Sequence, residues 1–306
     1  MVSQTAEWVA VDWGTSNFRA WVFGKGDQLI KLVTSDKGMG SLEPSEFEPA
    51  LLEAISPFLG DDKTPVICCG MVGAKQGWQE APYAQAPCQP ASVETALRIA
   101  AKDARLDVYV LPGVSQDSPA DVMRGEETQI AGFLAENPRF DGVLCLPGTH
   151  TKWVQISAGE IVSFRTFMTG EMFALMSKQS VLRHSVQTDD WDDIAFENAI
   201  SDGLSKPQML AARLFGLRAE GLLKDLRPAS AKARLSGLLI GLELAGTRAY
   251  WLGQNIAIIG APNLSALYAS ALRLQDAPAE LASGDRMTLS GLRSAYNQLI
   301  GNSNDS

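Results

Sequence analysis

Two short turns constrain what this chain can fold into more than any other feature. Gly14-Thr15-Ser16 and Gly148-Thr149-His150-Thr151 lie 134 residues apart, from position 14 to position 148 of 306, which is close to half the chain. Each follows a short apolar run, at 8–11 and at 142–146, and each is followed by two strand-like segments, at 18–23 and 28–33 and again at 152–156 and 161–167. A strand, a Gly-Thr turn and two more strands, repeated with little sequence identity, point to two structurally related lobes. Glycine lets another backbone or a ligand approach closely, and the hydroxyls and amides of such a turn can cradle phosphate. The same residues suit an ordinary hairpin turn. The repetition is what favours the cradle, since two such turns can grip one polyphosphate from both sides.

The segments between the turns alternate in type. Phe47, Leu51, Leu52, Ile55 and Phe58 recur at helical spacing over 46–58, and 65–69 is a buried strand. A helix is expected over 91–104, a strand over 107–111, and a helix over 126–136 that Pro138 stops. The second half is more helical, with expected helices at 171–180, 191–202 and 207–217, one long apolar stretch at 229–252, a strand at 255–259 and helices at 264–274 and 286–300. Lys232, Arg234, Glu243 and Arg248 within the long stretch argue for a buried helix of a globular protein and against a membrane span. The pattern predicts an α/β protein whose first lobe takes residues 1–138 with about 286–306, and whose second takes 139–285.

Composition narrows the function classes. With 26 Lys and Arg against 35 Asp and Glu, a net charge of −9 and no basic run, an extended nucleic-acid surface is not expected. A small anionic substrate needs only a few local cations, whatever the net charge. Four cysteines and two histidines show no metal-ligand spacing, and Cys68, Cys69 and Cys145 read as buried free thiols. The first residues, MVSQTAEW, carry no targeting pattern, and no segment reaches the length of a membrane helix, so a reducing cytoplasm is the expected compartment and no membrane partner is expected.

Five places could carry chemistry. Asp12 ends the first strand beside the first turn, where a carboxylate could hold Mg²⁺ through water. The second turn is its counterpart. Arg124, Gly125, Glu126 and Glu127 open a helix; the helix dipole favours acids there, and a carboxylate at that point also suits a general base taking a proton from an attacking hydroxyl. The glycine-rich loop after 65–69 offers a cation, an amide and an aromatic wall in Lys75, Gln76 and Trp78. The strand-to-helix turn at Gly260 could meet an adenine and ribose edge. His150, inside a phosphate turn, is expected to hydrogen-bond phosphate or backbone, and His184 reads as solvated.

These elements in this order resemble the actin, hsp70 and sugar-kinase superfamily. The segments AVDWGTSNFRAW, GMVGAKQGWQEAPY, MRGEETQIAG, LPGTHTKWV, FRTFMTGE, SGLLIGLELA and GDRMTLSGLRSAY resemble, more narrowly, the 2-dehydro-3-deoxygalactonokinase family over nearly the whole chain. The resemblance implies a two-lobed actin-like ATPase (ribonuclease H-like) fold with a central cleft. It implies ATP-dependent phosphorylation of 2-dehydro-3-deoxy-D-galactonate at O6 in galactonate catabolism, with ATP and Mg²⁺ as cofactors, a sugar acid as partner and a homodimer left open. Carried onto this sequence, Asp12 would organise Mg²⁺. Gly14, Thr15 and Asn17 would face the β- and γ-phosphates with Arg19 nearby, and Gly148, Thr149 and Thr151 would complete the clamp. Related sugar kinases place an Asp at the head of the connecting helix as base; here Glu126 or Glu127 must substitute, and Glu126 directly follows the glycine. Lys75, Gln76 and Trp78 resemble the substrate loop, Arg124 would meet the carboxylate or keto group, and Gly260, Asn263 and Ser265 would border the adenosine. Two rival readings remain: a kinase of the same superfamily with another sugar or sugar acid, and a nucleotide switch that transfers no phosphate. A sugar-responsive repressor on this fold is not expected, because the chain opens on the first strand.

Overall fold

The computed structural model describes residues 5–304. In chain order, the first 140 residues give strands β1 (Trp8–Trp13), β2 (Phe18–Gly24) and β3 (Gln28–Ser35), helix α1 (Phe47–Ile55), strands β4 (Thr64–Gly70), β5 (Tyr83–Gln85), β6 (Leu97–Ile99), β7 (Leu106–Val110), β8 (Gly113–Asp117) and β9 (Ala120–Met123), and helix α2 (Glu126–Glu136). There follow β10 (Gly142–Leu146), β11 (Thr151–Ser157), β12 (Glu160–Phe167), α3 (Thr169–Lys178), α4 (Asp193–Ser205), α5 (Leu210–Leu223), α6 (Pro228–Gly246), α7 (Arg248–Trp251), β13 (Ile256–Gly260), α8 (Pro262–Arg273), β14 (Ala279–Ser283) and α9 (Gly284–Asn304). Two compact units result: residues 1–140, 157–163 and 284–306, and residues 141–156 and 164–283.

The first unit is built on a six-stranded sheet ordered β3-β2-β1-β4-β7-β6. β1, β2 and β3 form an antiparallel meander, and β4 and β7 join β1 in parallel. Strand alternation sorts the side chains of β1 to two faces. Val9, Val11 and Trp13 enter one core with Phe47, Leu51 and Ile55 of α1, whereas Trp8 and Ala10 enter another with Leu292, Ala295 and Tyr296 of α9. Trp8 stacks on Phe23 and Tyr296 at 4.7 and 4.3 Å. A small sheet, β5-β8-β9, runs directly into the head of α2.

The sheet of the second unit has the order β12-β11-β10-β13-β14, with β10 antiparallel to β11 and parallel to β13, which is parallel to β14. Three meander strands followed by parallel neighbours on the far side of the first strand is the same arrangement as β3-β2-β1-β4-β7. The Gly-Thr turns occupy equivalent corners, β1 to β2 and β10 to β11. Val143, Cys145, Trp153 and Ile258 form the core with Phe196 and Ile200 of α4, Ile240 and Leu244 of α6, and Tyr268 of α8.

Both units pack one helix pair through glycine. A Cβ at Gly132 of α2 would lie 2.0 Å from the Met287 carbonyl, and one at Gly291 of α9 would lie 2.0 Å from the Thr128 carbonyl. In α4 and α6, Gly203, Gly237 and Gly241 similarly face the Leu238, Phe196 and Ile200 carbonyls at 2.6, 2.5 and 2.5 Å. The absent side chains are what let these backbones touch.

Two expectations are corrected. Residues 91–104 form no helix: a short helical turn at Val93–Thr95 leads into β6, which pairs antiparallel with β7. Val93 and Ile99 are buried in different cores, which a single helix face could not satisfy. The stretch 229–252 is also two helices, α6 and α7, breaking at Thr247. Among the described residues no helix is long and apolar enough to cross a membrane. Cys68, Cys69 and Cys145 are buried free thiols.

Candidate active site

Three backbone ends converge in the first unit. The parallel register of β1 and β4 sets Asp12 beside Cys69 and Trp13 beside Gly70. Gly70 has φ +88°, and a Cβ there would stand 2.8 Å from the Trp13 carbonyl and 3.5 Å from Asp12 Oδ1. Gly125, with φ +109°, heads α2 and would place its own Cβ 3.5 Å from Gly70 Cα. Only glycine fits two such positions cheaply, and together they bring the head of α2 up against the ends of β1 and β4.

Asp12 is half-buried and accepts from Arg19 Nη2 at 2.6 Å, because the antiparallel register pairs the two residues directly. The other side of the Arg19 guanidinium contacts Asp285 at 2.7 Å. Burial works against the Arg19 charge, but these two carboxylates outweigh it and push its pKa up. The Arg19 guanidinium is thus held between two acids, where it fixes Asp12 at the edge of the first turn. Asp12 Oδ1 accepts a long 3.9 Å contact from the Cys69 thiol.

The first turn is closed by the Gly14 N–H donating to the Asn17 carbonyl at 2.9 Å. Met39 and Gly40 N–H groups donate to the Gly14 and Thr15 carbonyls at 2.9 and 2.8 Å. Thr15 and Asn17 remain exposed, and Asp12, Gly14, Asn17 and Arg19 line a recess of about 440 Å³. Gly38 was not anticipated as part of this site. A Cβ there would lie 2.4 Å from the Thr15 carbonyl, so the segment 38–40 buttresses the turn; the closely spaced glycines of Gly38-Met39-Gly40 were the available signal.

Glu126 and Glu127 separate sharply. Glu127 is wholly buried, and both its carboxyl oxygens accept from the Gly125 N–H at 2.8 and 2.7 Å. Burial pushes its pKa up to about 7, the neighbouring Glu126 charge adds to this, and the Gly125 N–H opposes it. Glu126 is half-buried and accepts from the Arg124 N–H at 3.2 Å.

Arg124 lies over the Tyr83 ring, 4.2 Å from its centroid, and donates to the Ala81 carbonyl at 2.9 Å. Its Nε and Nη1 are sealed from solvent without a hydrogen-bond partner. The expected role at a substrate carboxylate is not what this geometry offers, because only a shift of the side chain would expose those nitrogens. The loop after β4 is held tight by Trp78 N–H to Val72 carbonyl and Ala81 N–H to Gly73 carbonyl bonds, both 2.9 Å. Lys75 and Gln76 are exposed at its tip, whereas Trp78 is half-buried, stacked 6.3 Å from Phe47 and packed into the core.

The second unit carries a larger cavity, about 810 Å³, bordered by Gly148, Thr149, Lys232, Leu239, Asn263 and Tyr268 among others. It contains none of the acids of the first unit, so size alone does not locate the chemistry. The head of α3 presses on its Gly-Thr turn: a Cβ at Gly170 would lie 2.2 Å from the Gly148 carbonyl, and the Glu171 N–H donates to the Thr149 carbonyl at 2.9 Å. His150 Nε2 stands 2.6 Å from Glu171 Oε2. Thr151 is corrected: it is buried, and its hydroxyl meets the Tyr268 hydroxyl at 2.9 Å, turned inward from the turn surface. Asn263 is exposed on the cavity rim. Gly260 and Ser265 lie behind it, the Ser265 hydroxyl buried without a partner and 3.0 Å from where a Gly260 Cβ would stand.

Comparison with known proteins agrees with this arrangement. Residues 12–295 match the family described as 2-keto-3-deoxy-galactonokinase. The chain is 36% identical over 294 residues to the probable 2-dehydro-3-deoxygalactonokinase DgoK1 of Rhizobium meliloti (strain 1021), covering 94% of this chain and 96% of that one. It is 34% identical to the 2-dehydro-3-deoxygalactonokinase of Escherichia coli (strain K12), covering 95% and 97%. A crystal structure of a candidate 2-dehydro-3-deoxygalactonokinase from Sinorhizobium meliloti superimposes with a TM-score of 0.87 at 36% identity, covering 95% of this chain and 99% of that one. The activator of 2-hydroxyisocaproyl-CoA dehydratase from Clostridium difficile, with a TM-score of 0.53 at 10% identity over 98% and 97% of the two chains, shares the fold alone. Two sheet-bearing units of the actin-like, ribonuclease H-like type and a family match across nearly the whole length lead to one conclusion: the chain belongs to the 2-keto-3-deoxy-galactonokinase family.

Proposed function

We propose that the protein transfers the γ-phosphoryl group of ATP to the 6-hydroxyl of 2-dehydro-3-deoxy-D-galactonate, giving the 6-phosphate and ADP in galactonate breakdown. The observation that carries this is the convergence of Asp12, Gly70 and the head of α2, which sets one carboxylate beside a phosphate-type turn and another at a helix start. Glu126 is the base. It is half-buried, whereas Glu127 is sealed, with both carboxyl oxygens turned back onto the Gly125 N–H at its own helix start. As the 6-oxygen attacks the γ-phosphorus, the hydroxyl proton passes to Glu126 and the bond to the ADP oxygen breaks.

Thr15 and Asn17, exposed on the turn, are assigned to phosphate oxygens through their hydroxyl and amide donors, and Gly14, whose N–H closes the turn on the Asn17 carbonyl, gives the phosphate room to approach. In the second unit, Gly148 and Thr149 are assigned the same role, and the cavity with Asn263 and the apolar walls Leu239, Ile240, Leu264 and Leu267 takes the nucleoside. Lys75 and Gln76 are the exposed polar groups for the sugar acid. Asp12 suits Mg²⁺ held through water: it is a hard oxygen donor with one oxygen fixed by Arg19, and no three potential ligands are grouped among the described residues, so the remaining ligands would be water and phosphate. Bound with the nucleotide, that ion would neutralise phosphate charge.

The test is a coupled ADP-release assay with Mg²⁺ and ATP. 2-Dehydro-3-deoxygalactonate should drive turnover far better than its gluconate epimer, and Asp12→Asn should lower kcat by orders of magnitude with an unchanged melting temperature. ATP turnover indifferent to any sugar acid would instead identify a nucleotide switch.

A further inference from the structure

Glu243 lies on α6 in the interior of the second unit, 1% exposed, and is not part of the wall of the 810 Å³ cavity. Its Oε1 accepts from Trp153 Nε1 at 2.7 Å. Its Oε2 accepts from the Thr169 hydroxyl and, at 2.8 Å, from the Tyr268 hydroxyl. Tyr268 in turn meets Thr151 at 2.9 Å. One carboxyl thus ties together β11, the head of α3 and α8, using groups that come from three separate stretches of sequence.

Two of these partners, Thr169 and Tyr268, are walls of the cavity. A third link runs through α3: Thr169 is its first residue, and the next two residues touch the Gly148–Thr149 turn through the Gly170 approach and the Glu171 N–H. An acid in an apolar interior is not the cheapest way to fill space, since a hydrophobic residue of similar size is often neutral or better for stability. What the acid offers is direction, because each bond fixes a donor in place. Burial pushes the carboxyl up to about 7 while the donors from Thr169, Trp153, Tyr268 and Thr151 pull it down, as expected of a group retained for its hydrogen bonds.

We infer that Glu243 is a positioning residue for nucleotide: it holds the head of α3 and Tyr268 of α8 in register with the second Gly-Thr turn, so that the cavity keeps the shape its ligand needs. The role rests on the kinase assignment above. The test compares wild type with Glu243→Leu, Glu243→Gln and Trp153→Phe, none of them a cavity-wall substitution. Binding of a non-hydrolysable ATP analogue is measured by titration calorimetry, alongside KM for ATP, KM for the sugar acid, and melting temperature. Glu243→Leu should raise the nucleotide Kd and KM tenfold or more and leave the sugar-acid KM within twofold. Glu243→Gln, which keeps the shape and can still bond as the hydroxyls rotate, should recover to within threefold of wild type. If Glu243→Leu does not fold, Trp153→Phe decides, with an expected rise of threefold or more in nucleotide Kd. Variants that melt earlier yet bind nucleotide within twofold of wild type would overturn the role and leave the kinase assignment standing. A wild-type protein that binds no nucleotide would bring down both.

Discussion

Glu127 and Glu243 are both buried acids pushed up to about 7 by burial, and they act in different ways. Glu243 receives its bonds from three other elements, whereas Glu127 receives them from the residue two positions before it. A carboxyl whose folded pKa lies above its ordinary value binds more protons folded than unfolded, so its contribution falls as pH rises from about 4.5 to about 7 and is constant above that. Glu127→Gln should therefore gain stability relative to wild type across that window, by an amount of the order of a few kcal/mol, read as a melting-temperature difference that widens with pH. A constant or narrowing difference would contradict the buried state of Glu127. The same pair separates in kinetics: Glu126→Gln should lower kcat by about 10²–10⁴ as expected for loss of a general base, and Glu127→Gln by much less. Adjacent glutamates look alike in sequence, but a helix turns about 100° per residue. Glu127 precedes Ile130 and Leu134 by three and seven residues, and Glu126 precedes Ile130 and Phe133 by four and seven, so the spacing sets both near the buried face and did not say which one is sealed. Arg19 was readable in principle. A hairpin that pairs Trp13 with Phe18 sets Arg19 opposite Asp12, where the nearest anion is that carboxylate before any phosphate. Thr151 was not readable, because its partner Tyr268 is brought to it only by the packing of α8 on the second sheet.

Long periodic elements were plain in the sequence. α2 spans the expected 126–136 and β10 the expected 142–146, because Pro138 and the Pro147–Gly148 turn punctuate them. Short elements were not. β5 and β6 have three residues each, too few to show alternation, and what makes them strands is the partner each finds in β8 and β7. The glycine contacts between helices belong to the same class: nothing local says that Gly291 faces the Thr128 carbonyl and Gly216 faces open space. Gly291→Ala should force α2 and α9 apart at a cost of about 1–3 kcal/mol, and because Thr128 adjoins Glu127 the loss should extend to kcat. Gly216→Ala should be neutral or slightly stabilising, since a helix interior favours alanine. Thermal melts of the two variants check this, and equal melting temperatures would contradict the close packing.

At the scale of the whole molecule, the repeated turn proved the most informative feature. A spacing of nearly half the chain corresponds to two sheets that share the order of five strands, each with its Gly-Thr turn at the same corner. The repeat does not extend to the chemistry: the half-buried carboxylates at Asp12 and Glu126 are in the first unit, and the large cavity with its buried Glu243 network is in the second. The net charge of −9 is compatible with anionic ligands because few cations are needed, and Lys75 is an exposed one on the loop assigned to the sugar acid. Phosphoryl transfer to the 6-oxygen of the sugar acid is read out by proton-coupled ³¹P NMR of the reaction mixture. A new phosphomonoester signal, split into a triplet by the two protons of the C6 methylene, should grow in step with ADP and be absent with Asp12→Asn. Inorganic phosphate as the only new phosphorus species beside ADP would contradict it.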